Sequence, residues 1–213
     1  MDLRYIMVSL ENDAYQIGDL SNKDVYINGR AKFVHQSGYA ADSSWLAFKN
    51  PAEITGIKAT ITIESCTGDA GARISGFLGK DGENQIWTAI GIRADRNYLF
   101  SELVVLGPAP EYEYMGDYFW GRFNDSQDIV GSTFTISIIF SRKQGTYEVE
   151  NDGILVFDFP KTLTPTPPDE NFKGIGTRSN DGSGACTVYF DDVYVLRQSV
   201  PVLIGVTNLL LLD

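Results

Sequence analysis

The sequence predicts an all-β fold, a two-sheet antiparallel β-sandwich, on three observations. Apolar and polar residues alternate with period two in run after run, the pattern of strands with one face on a core and one face wet. Clusters of Gly, Asn, Asp and Pro interrupt those runs at short intervals, as hairpin-connected strands require. No stretch carries a helical period long enough to form a helix of ordinary length. The 213 residues suit one large sandwich better than two small domains, so a single domain over 1–213 is expected. With 43% hydrophobic and 12% aromatic residues the chain can fill a substantial core, and its 21 glycines and 11 tyrosines fit many turns and half-exposed pleated surfaces.

Taken in order, strands are expected over 5–10 (YIMVSL), 31–36 (AKFVHQ), 44–49 (SWLAFK) and 56–65 (GIKATITIES). They continue over 72–79 (ARISGFLG), 86–93 (IWTAIGIR), 98–106 (YLFSELVVL) and 133–141 (TFTISIIFS). The last are 145–150 (GTYEVE), 154–159 (ILVFDF), 172–178 (FKGIGTR) and 186–196 (CTVYFDDVYVL). Within the fourth, Ile61 and Ile63 point one way while Thr60, Thr62 and Glu64 point the other. The proline-dense stretch 160–171 (PKTLTPTPPDEN) is expected to run extended over the surface. Residues 197–213 are expected to form an apolar terminal strand or docking tail; its greasy part is shorter than the about 20 residues a bilayer span needs.

A net charge of −11 and a pI near 4.5 exclude nucleic acid as a partner, because phosphate binding needs a cationic footprint. Anionic membrane surfaces are disfavoured for the same reason. Cys66 and Cys186 sit far apart and in no C-x-x-C pair, so zinc and thioredoxin-type chemistry have no support. Both fall in expected strands, as either a disulfide or two buried thiols; a bridge requires Cα atoms within about 7 Å. The start, MDLRYIMVSLENDAYQ, lacks the apolar core and cleavage site of a signal peptide, as expected of a mature or excised piece or of a protein that stays inside.

Residues 146–160 (TYEVENDGILVFDFP) concentrate acidic side chains. Tyr147 and Val149 project to one side and Glu148 and Glu150 to the other. Asn151 and Asp152 suit the centre of a type I turn, and Gly153 supplies a positive φ, so most of these acids are expected to be turn chemistry and a solvated face. Glu148 and Glu150 remain the weak catalytic candidates.

The run TISIIFSRKQGTYEVENDGILVFDF, with GIGTRSNDGSGACTVYFDDVYVL, GARISGFLGKDG and IWTAIGIRAD, resembles the concanavalin A-like lectin/glucanase jelly rolls, especially variants in large secreted bacterial proteins. The likeness covers 53–196. It implies two curved antiparallel sheets, with sugar binding, adhesion or glycan cleavage as the usual tasks. Hydrolases of that superfamily carry E-x-D-x-x-E on a strand. Here Glu148 and Glu150 are present, but Asp152 falls in the turn rather than further along the strand. Retaining glycosidases need two carboxyls about 5 Å apart across a sugar, and residues two apart on a strand meet that spacing only loosely.

The most aromatic stretch is 111–123 (EYEYMGDYFWGRF). Flat rings stack on sugar faces while adjacent charged groups bond hydroxyls, so Asp117, Tyr118, Trp120 and Arg122 are ligand-binding candidates, with Trp87 outlying. The alternative is a loop whose rings plug the edge of the sandwich. Asp191 and Asp192 lie side by side in the last strand and face opposite ways, so only a bulge would let both hold one ion. With Asp181 from the 179–184 loop, they are the candidates for a calcium site, which takes six to eight oxygens; the 80–84 loop could lend others. His35 is the sole histidine, and no serine motif accompanies it, so no catalytic relay is argued. The expected function is a non-catalytic, extracellular carbohydrate-binding or adhesion module. The alternatives are a self-assembling structural or fibre subunit that forms a homo-oligomer through its terminal strands and, more weakly, a glycan-cleaving hydrolase.

Overall fold

Period-two facing becomes two stacked sheets in the computed structural model, which describes residues 5–18, 23–27, 29–36, 43–107, 112–179 and 181–198. The strands are β1 (Tyr5–Met7), β2 (Ala14–Gly18), β3 (Lys23–Ile27), β4 (Ala31–His35), β5 (Ser43–Phe48), β6 (Ile54–Thr67), β7 (Gly71–Asp81) and β8 (Asn84–Arg93). They continue as β9 (Tyr98–Leu106), β10 (Tyr112–Phe119), β11 (Thr133–Phe140), β12 (Gln144–Val149), β13 (Gly153–Asp158), β14 (Lys173–Arg178) and β15 (Ala185–Arg197). Sheet I runs β13-β12-β11-β6-β15-β4-β3, with β1 pairing the other half of β15; sheet II runs β10-β9-β8-β7-β14-β5-β2. The expected two-sheet antiparallel sandwich is the fold observed.

The core lies between the sheets. Ile57, Ala59, Ile61 and Ile63 of β6 are buried there, with Phe134, Ile136 and Ile138 of β11 and Val188 and Phe190 of β15. Phe190 meets Phe33 edge to face at 5.4 Å, a favoured aromatic geometry. Sheet II answers with Leu46, Ile74, Ile90, Ile92, Leu99 and Ile175. The outer face of sheet I is wet, as the alternation in β6 requires. Thr60 and Thr62 stand opposite Thr135 and Thr133 there, with hydroxyls 3.1 and 3.0 Å apart.

The outer face of sheet II behaves differently. Cross-strand register puts Ser75, Ala89 and Glu102 in one row and Phe77, Trp87 and Val104 in the next. Trp87, Ala89 and Val104 form a second buried apolar cluster, with Phe77 and Leu106 packed against it. Sheet II is therefore buried on both faces at its centre, and β7 is buried at six successive positions from Gly71 to Gly76.

Some expected elements are corrected. The first strand ends at Met7, because Ser9 opens a helical turn, α1 (Leu10–Asp13): the Asp13 carboxylate accepts from the Ser9 amide at 3.1 Å. Strands β2 and β3 were not expected. The aromatic stretch, expected outside the strands, contains the edge strand β10. In the proline-dense stretch Leu163 is buried, and Thr164 exchanges backbone hydrogen bonds with Lys80 of β7, so it is tied to sheet II rather than laid loosely on the surface. The terminal tail lies outside the described residues beyond Gln198.

Candidate functional site

The sandwich is open where the sheet II edge, β9 and β10, faces the sheet I edge, β12 and β13. The β12–β13 hairpin turns through Asn151 and Gly153, both at positive φ, with the Asp152 amide donating to Val149 O at 2.9 Å. Positive φ thus starts at Asn151, which tolerates it better than most side chains. The turn projects Asp152 onto Arg122, with which it forms an ion pair. The acidic hairpin and the aromatic stretch, singled out separately in the sequence, are held together by that pair.

Alternation along β10 divides the aromatic stretch between two faces. Phe119 pairs with Phe100 and shares the outer face of sheet II with Tyr98, 6.1 Å away between centroids, and the Arg96 guanidinium lies 5.7 Å from the Phe119 ring. Tyr118 pairs with Ser101 and faces the open edge, its ring meeting Trp120 edge to face at 5.0 Å. Tyr98, Tyr118 and Phe119 are 39%, 46% and 40% exposed, whereas Trp120 is partly buried against the main core. Asp117 lies opposite Glu102 in the register; its side chain is outside the described residues. Trp87 is buried in the second apolar layer, so its ring is not a surface platform.

Behind Tyr118 lies a cavity of about 180 Å³ between the sheets, lined by Ser101, Leu103, Tyr147, Leu155 and Phe157. The Thr88 hydroxyl donates to Glu102 O at 2.8 Å and lies 2.6 Å from the Tyr147 hydroxyl. A hydroxyl has one proton to give, so Tyr147 is the donor in that second bond. Burial pushes the Tyr147 phenol well above its ordinary range. A Cβ on Gly145 would stand 2.6 Å from the Tyr147 hydroxyl, so the glycine is what lets that ring lie flat along its own strand.

The remaining candidates do not converge. Glu148 and Glu150 are exposed on the outer face of sheet I, where the Ser137 hydroxyl donates to Glu148 at 3.3 Å. Asp192 sits at positive φ in a bulge of β15, the irregularity that two adjacent acids would require, but Asp191 pairs with Arg30 at 3.8 Å. Asp181 belongs to a different arrangement: its amide donates to Asp69 and its carboxylate accepts from the Ser183 amide at 2.7 Å. Among the described residues no three His, Cys, Asp or Glu side chains gather as a metal site. Cys66 and Cys186 are buried free thiols directly opposite each other on β6 and β15, and His35 is next in the same row on β4. Ser101, Leu103 and Tyr98 were not anticipated as site residues; their strand was legible, but not the edge it would neighbour.

The sequence matches no protein-family model and no curated protein. Solved structures do resemble it. The carbohydrate binding module CBM66 from Bacillus subtilis is 12% identical, with 85% of this chain and 95% of that one covered at a TM-score of 0.50. The VIP36 exoplasmic/lumenal domain, in a Ca2+/Man3GlcNAc-bound form, is 9% identical over 94% and 91% at 0.55. A glycoside hydrolase family 16 endo-glucanase from Bacteroides ovatus is 14% identical over 87% and 95% at 0.55. At such identities the likeness is one of fold: the chain has the concanavalin A-like jelly-roll architecture. Among the described residues no helix is long and apolar enough to cross a membrane.

Proposed function

We propose that this jelly roll is a carbohydrate-binding or adhesion module without catalysis, acting outside the cell. The observation that carries the reading is the pair of exposed rings, Tyr98 and Phe119, side by side on the outer face of sheet II beside Arg96, with Tyr118 exposed at the adjoining edge. Exposed aromatic surface gains by covering a sugar face, and guanidinium forks bond sugar hydroxyls. The resemblance to a carbohydrate binding module and to a glycan-bound lectin-like domain supports the same class of ligand. Trp120, partly buried, backs the Tyr118 ring, and Asp152 pairs with Arg122.

A glycan array is the test, with Phe119→Ala and Tyr98→Ala as controls. Hits weakened tenfold or more in both variants are expected; no hits, or hits indifferent to both, would remove the platform. Reducing-sugar release from a polysaccharide panel is expected to be absent, and release abolished by Glu148→Gln would make the protein an enzyme.

A second reading, assembly through sheet edges, is favoured by β13, an edge strand that exposes Ile154 and Val156. Unpaired, apolar edges are templates for a further strand. Sedimentation of the chain with and without 200–213 checks it; a monomer in both would remove it.

A further inference from the structure

The cavity between β10 and β13 has a composition that a surface glycan platform does not use. Leu103, Leu155, Phe157 and the rings of Tyr118 and Tyr147 make it largely apolar, at about 180 Å³; Glu102 also lines it, its carboxylate paired with Arg73. An apolar cavity of about 150 Å³ in another protein holds benzene. Gly116 also lines it, in the irregular part of β10 and with nothing within 4 Å of where a Cβ would stand, so the mouth is open there.

Two residues that line this space carry hydroxyls with hydrogen-bonding capacity unspent. Ser101 is 2% exposed, lines the cavity, and its Oγ has no partner among the described residues. Leaving a buried hydroxyl unsatisfied is costly unless something fills the need. Tyr147 gives its only proton to Thr88, so its phenol oxygen retains an acceptor position. A ligand hydroxyl between them would accept from Ser101 and donate to Tyr147, while its hydrocarbon body took the apolar walls.

We propose that this inter-sheet cavity is a binding site for a single-ring phenol or an alcohol of similar size. Of the exposed rings only Tyr118 borders this site; Tyr98 and Phe119, which carry the carbohydrate reading, lie on the opposite face of sheet II and take no part. Failure of the carbohydrate reading would therefore leave it standing, and its own failure would leave the carbohydrate reading standing.

The experiment is a titration with p-cresol and with toluene, which has the same ring and methyl but no hydroxyl, followed by amide chemical shifts and calorimetry. p-Cresol is expected to shift the amides of Ser101, Leu103 and Gly116, with toluene binding weaker by about tenfold or more, the worth of the two hydrogen bonds it cannot make. Ser101→Ala should bind p-cresol more weakly than the parent but more tightly than it binds toluene, the bond to Tyr147 remaining; because it removes an unpaired group, it should fold at least as stably as the parent. Leu155→Trp, which fills the space, should bind neither. The proposal is overturned by the absence of p-cresol binding at its solubility limit, by equal affinity for toluene, by shifts confined to Tyr98 and Phe119, or by undiminished binding in Ser101→Ala.

Discussion

Arg73 Nη1 donates to Glu102 Oε1 at 3.0 Å, with the two side chains 1% and 9% exposed, on the face of sheet II turned away from the main core. The guanidinium also lies 5.1 Å from the Phe100 ring. A buried ion pair offsets two large desolvation costs with one strong attraction, so breaking half of it strands a charge. Glu102→Ala is expected to cost about 3–5 kcal/mol, read from urea unfolding. Replacing both partners together, Arg73→Met with Glu102→Leu, should restore most of that. A small loss in the single variant would mean that the face is wetter than its packing indicates.

Lys173 carries a pH dependence whose sign can be worked out. Its ε-amine donates to Pro51 O at 3.0 Å and to Asn171 Oδ1 at 3.3 Å, and burial pulls its pKa from 10.5 down to about 8. Below about pH 8 both folded and unfolded chains hold the proton, and the cost of burying the cation is fully present. Between about 8 and 10.5 the unfolded chain binds a proton that the folded chain has released, so this residue makes stability rise with pH. Relative to Lys173→Met, the parent should gain stability from pH 7 to pH 10 in urea unfolding. Tyr147, held protonated by burial, acts in the opposite sense above pH 10 but cancels in the comparison. A flat difference across the window would refute the burial of a titrating amine.

The two thiols face each other across β6 and β15, and the Cys66 thiol donates to Ala70 O at 3.1 Å. The hydrogen bond with Cys66, and then burial, push the Cys186 thiol up, so neither a thiolate nor access is on offer. Ellman's reagent should therefore find almost no reactive thiol in the folded protein and both after denaturation. Finding none in the denatured, unreduced chain would mean that a disulfide had formed.

Two glycines in strands should respond oppositely to alanine. At Gly176 a Cβ would stand 2.2 Å from Ser44 O and 2.5 Å from the Trp45 ring, which itself packs edge to face on Phe172 at 5.5 Å. Overpacking of that kind costs about 1–3 kcal/mol. Gly116, with open space at its Cβ position, should accept alanine within about 0.5 kcal/mol. Thermal unfolding of the two variants side by side distinguishes them; equal losses would show that strand conformation, not contact, sets the cost.

Amino-acid order alone determined the strands that alternate strongly, such as β6 with its isoleucines inward and threonines outward. It also determined the hairpin at Asn151–Gly153 and the sandwich those strands build, because side-chain facing along a strand and the backbone demands of a tight turn are local properties. Strand β10 carries no such signal, because the adjacent rings of Tyr118 and Phe119 take opposite faces at an edge and leave no clean alternation. Tertiary structure decided the rest. Whether Trp87 meets water or a second apolar layer depends on β7 and β9 lying beside β8, and whether Asp152 is turn decoration or the partner of Arg122 depends on two sheet edges meeting. Those are contacts between segments distant along the chain, selected by the burial of the whole, and no local period encodes them.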